Sequence, residues 1–155
     1  MFDMGKEIER KFLLNEKASI PIPANYKRYT IKQGYILTGD SKQVRIRLTV
    51  YDAVIGIKFG NSPIRDEYEY EIPMADGKEI YEKCELKLEK SRLSFKRGKE
   101  QYDVDSYPND INVVEVEFKS IEDSNNWVKP EWIGKEISGK KKYSNITLAK
   151  QNLKF

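Results

Sequence analysis

Apolar and polar residues alternate one by one through much of the chain, and this period of two is typical of half-buried β-strands. Short turn-prone pieces rich in glycine, proline, asparagine and aspartate separate the alternating segments, for example residues 38–41, 60–63 and 107–110. The predicted strands are residues 6–14, 29–37, 43–51, 54–59, 67–72, 89–95, 101–106 and 112–119. Short strands with brief connections favour a closed antiparallel β-barrel or a sandwich.

Three segments lack this alternation and are predicted as helices, namely residues 76–86, 120–128 and 144–153. Ser120 is placed to cap the second helix, with Glu122 and Asp123 in its first turn, where acidic side chains favour a helix N-terminus. No internal repeat, low-complexity tract or linker divides the chain. Residues 1–155 are therefore predicted to form one α+β domain that is mainly antiparallel β-sheet.

Charged residues on the polar faces of the strands are grouped by sign. Acidic side chains repeat at Glu7 and Glu9, at Glu67, Glu69 and Glu71, at Asp103 and Asp105, and at Glu115 and Glu117, whereas basic side chains repeat at Arg45 and Arg47 and at Lys90 and Arg92. A sheet with one solvated face is the simplest interpretation of such alternation. However, like charges close together on one face repel each other, so this grouping is unfavourable on an open surface.

In a closed barrel the grouped charges would be favourable, because basic strands would then face acidic strands across the interior. The basic side would bind a polyanion, and the acidic pairs would bind divalent cations that neutralise it. The apolar faces would point outwards and would need a cover, for which the three helices, Trp127 and Trp132 are available. About eight strands leave an interior with room for side chains or one small ligand.

The composition of the chain further limits which partners and metal ions it is expected to bind. The chain has 28 Lys and Arg against 25 Asp and Glu, and this net charge of +3 is too slight to predict nucleic-acid or membrane binding. There is no histidine, so a metal ion would be held mainly by oxygen ligands, which favours Mg²⁺, Mn²⁺ or Ca²⁺. The single cysteine, Cys84, excludes an intrachain disulfide and fits a cytoplasmic protein. Residues 1–6 do not form a signal-peptide pattern, and no apolar run reaches the roughly 18 residues of a membrane span.

The segment Glu7-Ile8-Glu9-Arg10-Lys11 is an ExExK motif, and it resembles the motif of the CYTH superfamily, the triphosphate tunnel metalloenzymes. Further segments resemble those of the family in the same order: residues 31–36 (IKQGYI), 44–47 (VRIR), 57–60 (IKFG), 65–73 (RDEYEYEIP), 89–92 (EKSR), 102–105 (YDVD), 114–118 (VEVEF), 133–138 and 142–149. The resemblance covers almost the whole chain. Three positions depart from the family pattern: Lys140 replaces a frequent acidic residue, Lys142 an arginine, and Tyr102 a tryptophan.

This resemblance implies an eight-stranded antiparallel tunnel that binds a small-molecule triphosphate with a divalent metal, here Mg²⁺ or Mn²⁺. Metal ligands are predicted among Glu7, Glu9, Glu69, Glu71, Asp105, Glu115 and Glu117, because alternate strand positions aim two carboxylates at one point. For Glu69, Glu71 and Asp105, an exposed strand charge is nearly as good an interpretation. Phosphate oxygens are predicted to be held by Lys11, Arg45, Arg47, Lys58, Arg65, Lys90, Arg92 and Lys142.

Lys11 and Tyr35 are the predicted catalytic residues, which would organise an attacking water. Lysine can stabilise developing charge, and a tyrosine hydroxyl can share its hydrogen-bond network. Without histidine, a water at or beside the metal ion is the expected nucleophile, and phosphoryl transfer depends mostly on positioning and charge neutralisation. Packing in the core is an equally reasonable role for Tyr35, because the chain has 10 tyrosines.

Hydrolysis of inorganic tripolyphosphate to pyrophosphate and phosphate is the predicted function, because no extra segment is evident for a nucleobase or a vitamin. Cyclisation of ATP, hydrolysis of nucleoside or thiamine triphosphates, and non-catalytic polyphosphate binding remain as alternatives. The acidic residues argue against the last alternative, since binding alone needs only the basic side. Apolar residues on the outer face leave both a monomer and a homodimer open.

Overall fold

Eight antiparallel strands form a closed ring around a charged lumen. The computed structural model describes residues 6–60 and 64–151. The strands are β1 (Lys6–Leu14), β2 (Tyr26–Thr38), β3 (Lys42–Leu48), β4 (Ala53–Phe59), β5 (Ile64–Ile72), β6 (Leu86–Arg97), β7 (Glu100–Ser106), β8 (Asn112–Glu117) and β9 (Ile133–Glu136). The helices are α1 (Met74–Lys83), α2 (Ile121–Asn126) and α3 (Asn145–Ala149), and a 3₁₀ helix spans Lys141–Tyr143.

Strand β1 closes the ring because its two edges pair with different strands. One edge pairs with β8, where Glu9 lies opposite Glu117. The other edge pairs first with β5, where Glu7 lies opposite Arg65, and then with the short strand β9. The order around the ring is β1-β5-β4-β3-β2-β6-β7-β8, which confirms the predicted eight-stranded antiparallel architecture.

The outer face of the ring is apolar and is covered by other parts of the chain. Over β1, β6, β7 and β8, buried side chains such as Phe12 and Val116 pack with Trp132, and Trp127 packs against the same cluster. Trp127 Nε1 also donates a hydrogen bond of 3.1 Å to the hydroxyl of Tyr102. These contacts confirm that the two tryptophans cover the outward apolar face.

Helix α1 covers the outer face of β3 and β4 at very short range. Its Tyr81 is buried with Leu48 and Ala53. A Cβ atom at Gly77 would lie 2.5 Å from Ala53 Cβ and 3.0 Å from Leu48 Cδ2, so only glycine allows this approach. Helix α1 is thereby held against the barrel without a cap side chain at its N-terminus.

The inner face changes from charged to apolar along the lumen. At the apolar end, Leu88, Tyr107 and Val113 form a buried cluster with Ile137 and Leu148. Leu148 belongs to α3, so this helix closes one end of the lumen. The expectation that all three helices cover the outer face was therefore wrong for α3, because its apolar side chains find partners inside the ring.

The remaining differences from the predicted elements have local causes. Strand β3 ends at Leu48 because Thr49 and Asp52 form a turn, in which Thr49 N donates to Asp52 O at 3.0 Å. Strand β9 was not predicted, since it is only four residues long and shows no clear alternation. The predicted helix at 144–153 is shorter in the structure, because α3 begins at Asn145 and ends at Ala149 and residues 150–151 form a turn. Residues 152 and 153 lie outside the described part, as do residues 61–63 of a predicted turn. In the ranges that the structure describes, no helix is long and apolar enough to cross a membrane.

Gly77→Ala is expected to destabilise the protein by about 1–2 kcal/mol, even though alanine is the better helix former by roughly 1 kcal/mol. The added methyl group would overlap Ala53 and force α1 away from β3 and β4. Urea denaturation measures the change. Gly39→Ala is the matched control, because a Cβ atom there would meet only ordinary contacts of 3.7 Å or more. Equal stability of the Gly77 variant and the wild type would contradict the close packing of α1.

Candidate active site

A cavity of about 290 Å³ occupies the lumen, and all eight strands of the ring contribute to its wall. The C-terminal segment 137–146 and the turn 39–42 contribute further residues. The predicted site residues on the wall are Glu7, Glu9, Lys11, Arg45, Arg47, Lys58, Arg65, Glu69, Lys90, Arg92, Glu115 and Glu117. The other four lie off it: Tyr35 and Asp105 are buried, and Glu71 and Lys142 are exposed.

A first group of charges lies where β1, β4 and β5 meet. Lys58 Nζ is 3.1 Å from Glu7 Oε2 and 3.0 Å from Glu67 Oε2. Arg65 Nη2 is 2.7 Å from Glu9 Oε1 and 3.6 Å from Glu7 Oε1. The Oε2 atoms of Glu7 and Glu67 are buried without a hydrogen bond of acceptable geometry to the described residues. These oxygens therefore keep acceptor capacity for another donor or a cation.

A second group of charges is centred on Asp105, which is fully buried. Arg92 binds its carboxylate through Nε at 2.7 Å and Nη2 at 2.9 Å, and Lys90 Nζ lies 2.8 Å away. Burial alone would raise the pKa of Asp105, but Arg92 and Lys90 hold it well below its usual range. Burial lowers the pKa of Lys90 to about 8, against the opposing effect of Asp105. Asp105 thus holds two cations at the wall, and its oxygens are occupied by them.

Arg45 is the exception among the predicted phosphate-binding residues on the wall, because none of the described carboxylates lies within 4.0 Å of its guanidinium group, whereas the others each have such a partner. It is nevertheless only 8% exposed. Burial works against its charge, but Tyr35 and three lumen carboxylates raise its pKa above the ordinary value. Gly56 lies opposite on β4, and a Cβ atom there would come within 3.3 Å of Arg45 Nε. Arg47, by comparison, pairs with Glu69 at 3.2 Å.

The two predicted catalytic residues lie in different surroundings. Lys11 is on the cavity wall, where its Nζ donates to Tyr143 O at 2.8 Å and lies 4.0 Å from Glu115 Oε1. Tyr35 is 5% exposed and packs in the apolar cluster at the closed end. Its hydroxyl accepts a hydrogen bond of 2.6 Å from Gln33, which itself lines the cavity. Burial raises the pKa of Tyr35 to about 12, so the hydroxyl is neutral at ordinary pH.

Several carboxylates concentrate negative charge in one part of the lumen. Burial raises the pKa of Glu117 to about 7, and Glu7, Glu9 and Asp103 raise it in the same direction. Burial and the neighbouring Glu7 likewise raise the pKa of Glu9. Such mutual repulsion is relieved when a cation binds between carboxylates.

These carboxylates fit a hard divalent cation in the chemistry of their donor atoms. Glu7 Oε2 lies 3.1 Å from Lys58 Nζ but accepts no hydrogen bond of acceptable geometry from the described residues, and this unused acceptor and the excess negative charge at Glu117 both favour a cation. No three acidic or cysteine side chains in residues 6–60 and 64–151 are grouped as a preformed metal site. Lys58 and Arg65 contact Glu7 and Glu9. A metal ion would therefore compete with these ion pairs for the same oxygens.

The structure adds site residues that the sequence prediction did not include. Asp103 lines the cavity and lies 3.4 Å from Arg92, and it follows the same alternation as Asp105. Lys140 and Lys141 reach the wall, whereas Lys142 does not, because the 3₁₀ turn sets which side chains face inwards. Asn145 also lines the cavity, and no periodic pattern marks it in the sequence. An isolated glycine in a strand, such as Gly56, is a recognisable signal of close approach.

Comparison with known proteins places this geometry in a family. Two curated relatives are inorganic triphosphatases, one from Acetivibrio thermocellus at 34% identity and one from Nitrosomonas europaea at 31%. The first alignment covers 97% of both chains, and the second covers 92% of this chain and 96% of the relative. No family model matches the sequence.

The fold leads to the same family. A crystal structure of an inorganic triphosphatase superposes with a TM-score of 0.62 at 30% identity, covering 92% of this chain and 93% of the other. With relatives above 30% identity along nearly its whole length and the tunnel fold they share, the chain belongs to the inorganic triphosphatases of the CYTH superfamily.

Proposed function

We propose that the protein hydrolyses inorganic tripolyphosphate to pyrophosphate and phosphate in the lumen. The observation that carries this proposal is the composition of the cavity wall. Among its described residues there is no aromatic side chain, and Ile137 and Ile146 are the only apolar side chains. Sites for nucleobases and similar rings rely on apolar and aromatic surface, so this wall favours a substrate that consists of phosphate alone. The names of the relatives support the same substrate.

Arg45 is the first candidate to bind the substrate, because its buried guanidinium group has no carboxylate partner within 4.0 Å in residues 6–60 and 64–151. A guanidinium group offers parallel N–H donors that match two phosphate oxygens. Lys90 and Arg92, both held by Asp105, would bind further oxygens. Their fixed positions reduce the rearrangement needed when substrate enters.

Hydrolysis then needs a water molecule in line with a terminal phosphoryl group. The water oxygen forms a bond to the terminal phosphorus, and the bridging P–O bond breaks with its electron pair leaving on pyrophosphate. One proton of the water passes to the phosphate product or to solvent. The transferred phosphoryl group carries dispersed negative charge, which the lumen cations stabilise.

Lys11 and Tyr35 are proposed to act on this water in different ways. Lys11 can stabilise negative charge, and its contact with Tyr143 O fixes its amine at the wall. Tyr35 keeps its proton because its pKa is about 12. It therefore does not act as a general base, and it acts on the water only through Gln33, which lines the cavity and donates a hydrogen bond to the Tyr35 hydroxyl.

Glu7, Glu9, Glu115 and Glu117 are proposed to hold Mg²⁺ or Mn²⁺, which when bound would supply positive charge to the phosphate oxygens. All four side chains line the same cavity as the cations. Glu69 also lines it but is paired with Arg47, and Glu71 is exposed outside it.

Purified protein with Mg²⁺ or Mn²⁺ is expected to convert tripolyphosphate into equal amounts of phosphate and pyrophosphate. Turnover of ATP and thiamine triphosphate should be slower, because the described wall has no aromatic side chain that would stack on an organic ring. Ion chromatography of the products checks this, with EDTA as the control for metal dependence. Cyclic AMP and pyrophosphate from ATP would instead identify a cyclase, and tight binding without turnover would identify a binding protein.

Arg45→Met is expected to lower kcat/KM for tripolyphosphate by roughly 100-fold, equivalent to about 2.7 kcal/mol, because a charged bidentate contact is lost. Arg45→Lys should recover part of this loss, since it restores the charge without the fork of donors. The matched control is Arg28→Met, because Arg28 is exposed on β2 and does not line the cavity. If both methionine variants keep full activity, Arg45 does not bind the substrate.

Glu117→Gln tests the concentration of negative charge in the lumen. The folded protein has a pKa of about 7 at Glu117, whereas an unfolded glutamate has a pKa near 4.3, so between these values the folded chain binds more protons. This group therefore lowers the free energy of unfolding as the pH rises from 5 to 8. Between pH 5 and pH 8, the free energy of unfolding of Glu117→Gln should therefore increase by about 1 kcal/mol relative to that of the wild type, after allowance for solvent screening.

The measurement for Glu117→Gln is urea denaturation at pH 5 and pH 8 in EDTA. Glu71→Gln is the matched control, because Glu71 is exposed and its variant should keep a constant difference from the wild type. Metal-dependent turnover by Glu117→Gln should also fall by at least roughly tenfold if Glu117 is a ligand. Parallel pH dependence of wild type and Glu117→Gln would refute the raised pKa, and full turnover would remove the ligand assignment.

A further inference from the structure

The closed end of the lumen joins the C-terminal segment directly to a buried lysine of the cavity wall. Lys90 is 1% exposed, and its Nζ lies 2.8 Å from Asp105 Oδ2 and 3.4 Å from Asn145 Oδ1. An ammonium group has three N–H donors. With two of them directed at these oxygens, one donor remains for a ligand in the cavity that Lys90 lines.

Asn145 is itself held in place. The hydroxyl of Tyr107 donates a hydrogen bond of 2.5 Å to Asn145 Oδ1, the same oxygen that accepts from Lys90. Tyr107 is 3% exposed and belongs to the apolar cluster at the closed end, so its ring cannot move freely. The two donors also fix which end of the Asn145 amide carries the oxygen.

The backbone of Asn145 is fixed as well, because this residue begins α3. Ser144 caps the helix, with its Oγ accepting from Thr147 N at 3.1 Å. Leu148 and Ala149 on the same helix are completely buried against the closed end. Asn145 is therefore anchored through its backbone, its helix and its side chain.

We propose that Asn145 is a positioning residue, whose side-chain oxygen, oriented by Tyr107, holds the Lys90 ammonium group so that its remaining donor faces a bound phosphate. Tyr107 acts through Asn145 and has no direct contact with the substrate. The C-terminal segment then closes one end of the lumen and also positions a residue that binds the substrate. This inference rests on the proposed function only in taking Lys90 to bind substrate.

Asn145→Leu removes the acceptor and keeps a similar side-chain volume. The KM for tripolyphosphate is expected to rise roughly tenfold while kcat changes much less, because a hydrogen bond that orients a charged, ground-state contact is lost. A merely structural defect would reduce the active fraction, and so the apparent kcat, but would leave KM unchanged. Asn125→Leu, at an exposed position on α2, is the matched control. An unchanged KM in Asn145→Leu would overturn the proposal.

Tyr107→Phe deletes only the hydroxyl group and tests the relay. A smaller rise in KM, roughly threefold, is expected for this variant alone. If Tyr107 acts through Asn145, the double variant Tyr107→Phe/Asn145→Leu should match Asn145→Leu, because no oxygen remains to be oriented. Effects that multiply in the double variant would refute the relay. This cycle leaves the buried Lys90–Asp105 pair intact, so folding is not put at risk there.

Calorimetric titration with tripolyphosphate in EDTA separates the two proposals. If the wild type binds tripolyphosphate in EDTA but does not hydrolyse it when Mg²⁺ or Mn²⁺ is supplied, the hydrolytic function fails, and the ratio of Kd values between wild type and Asn145→Leu still decides the role of Asn145. A roughly tenfold weaker Kd in the variant supports the inference, and an equal Kd refutes it. If the wild type neither binds nor hydrolyses tripolyphosphate, both proposals fail.

Discussion

The pairing of β1 with both β5 and β8 is the constraint on which the rest of the structure depends. Successive side chains along a strand point to opposite faces, so closing the sheet places every second side chain of the eight strands inside the ring. Along most of the lumen these inward residues are charged, as where Glu7 lies opposite Arg65. Charges removed from water are tolerated only when partners are near, and the ring supplies those partners from strands far apart in sequence. The same closure turns the apolar faces outwards, which explains why tryptophans and α1 cover the barrel from outside.

The lumen cations differ in how completely their charge is balanced, and this difference gives them separate uses. Arg92 and Lys90 share the buried carboxylate of Asp105, which fixes their positions. Lys58 and Arg65 form ion pairs with the glutamates of β1 and β5, so they partly neutralise the negative charge of that region. Arg45 alone among these five has no described carboxylate within 4.0 Å, while it is almost fully buried. Tyr35 and the more distant carboxylates keep this guanidinium group charged, and an anionic ligand is the partner that its N–H donors would contact directly.

Most of the fold could be predicted from the sequence because the period-two pattern is long and the charges are grouped. The residues 6–14 were predicted as a strand with both ends correct, and Ser120 was correctly expected to cap a helix. Strand β9 was missed since it exists only to continue the edge of β1 beyond β5, which is a consequence of tertiary stagger. For the site, alternation indicated which residues face inwards, but not where each lies along the lumen. Hence Glu71, which was predicted for the site, is exposed, while Gln33, two positions before Tyr35 on β2, lines the cavity. Lys142 and Asn145 lie in short helices, where alternation does not indicate which side chain faces inwards.

The change from charged to apolar along the inner face also bears on what the cavity can bind. At the closed end, the same alternating rows that carry Lys11 and Lys90 continue into Leu13 and Leu88, and α3 packs against them. A polyanion is thus stabilised only along the charged part of the lumen, since the apolar end offers no cations to phosphate oxygens. The wall has no aromatic surface among its described residues. The choice of substrate therefore depends on its phosphate groups and on the length of the lumen along which cations are available. Short inorganic phosphate chains satisfy both conditions, whereas an organic substituent would have to extend through the open side and would contribute little to binding inside the lumen.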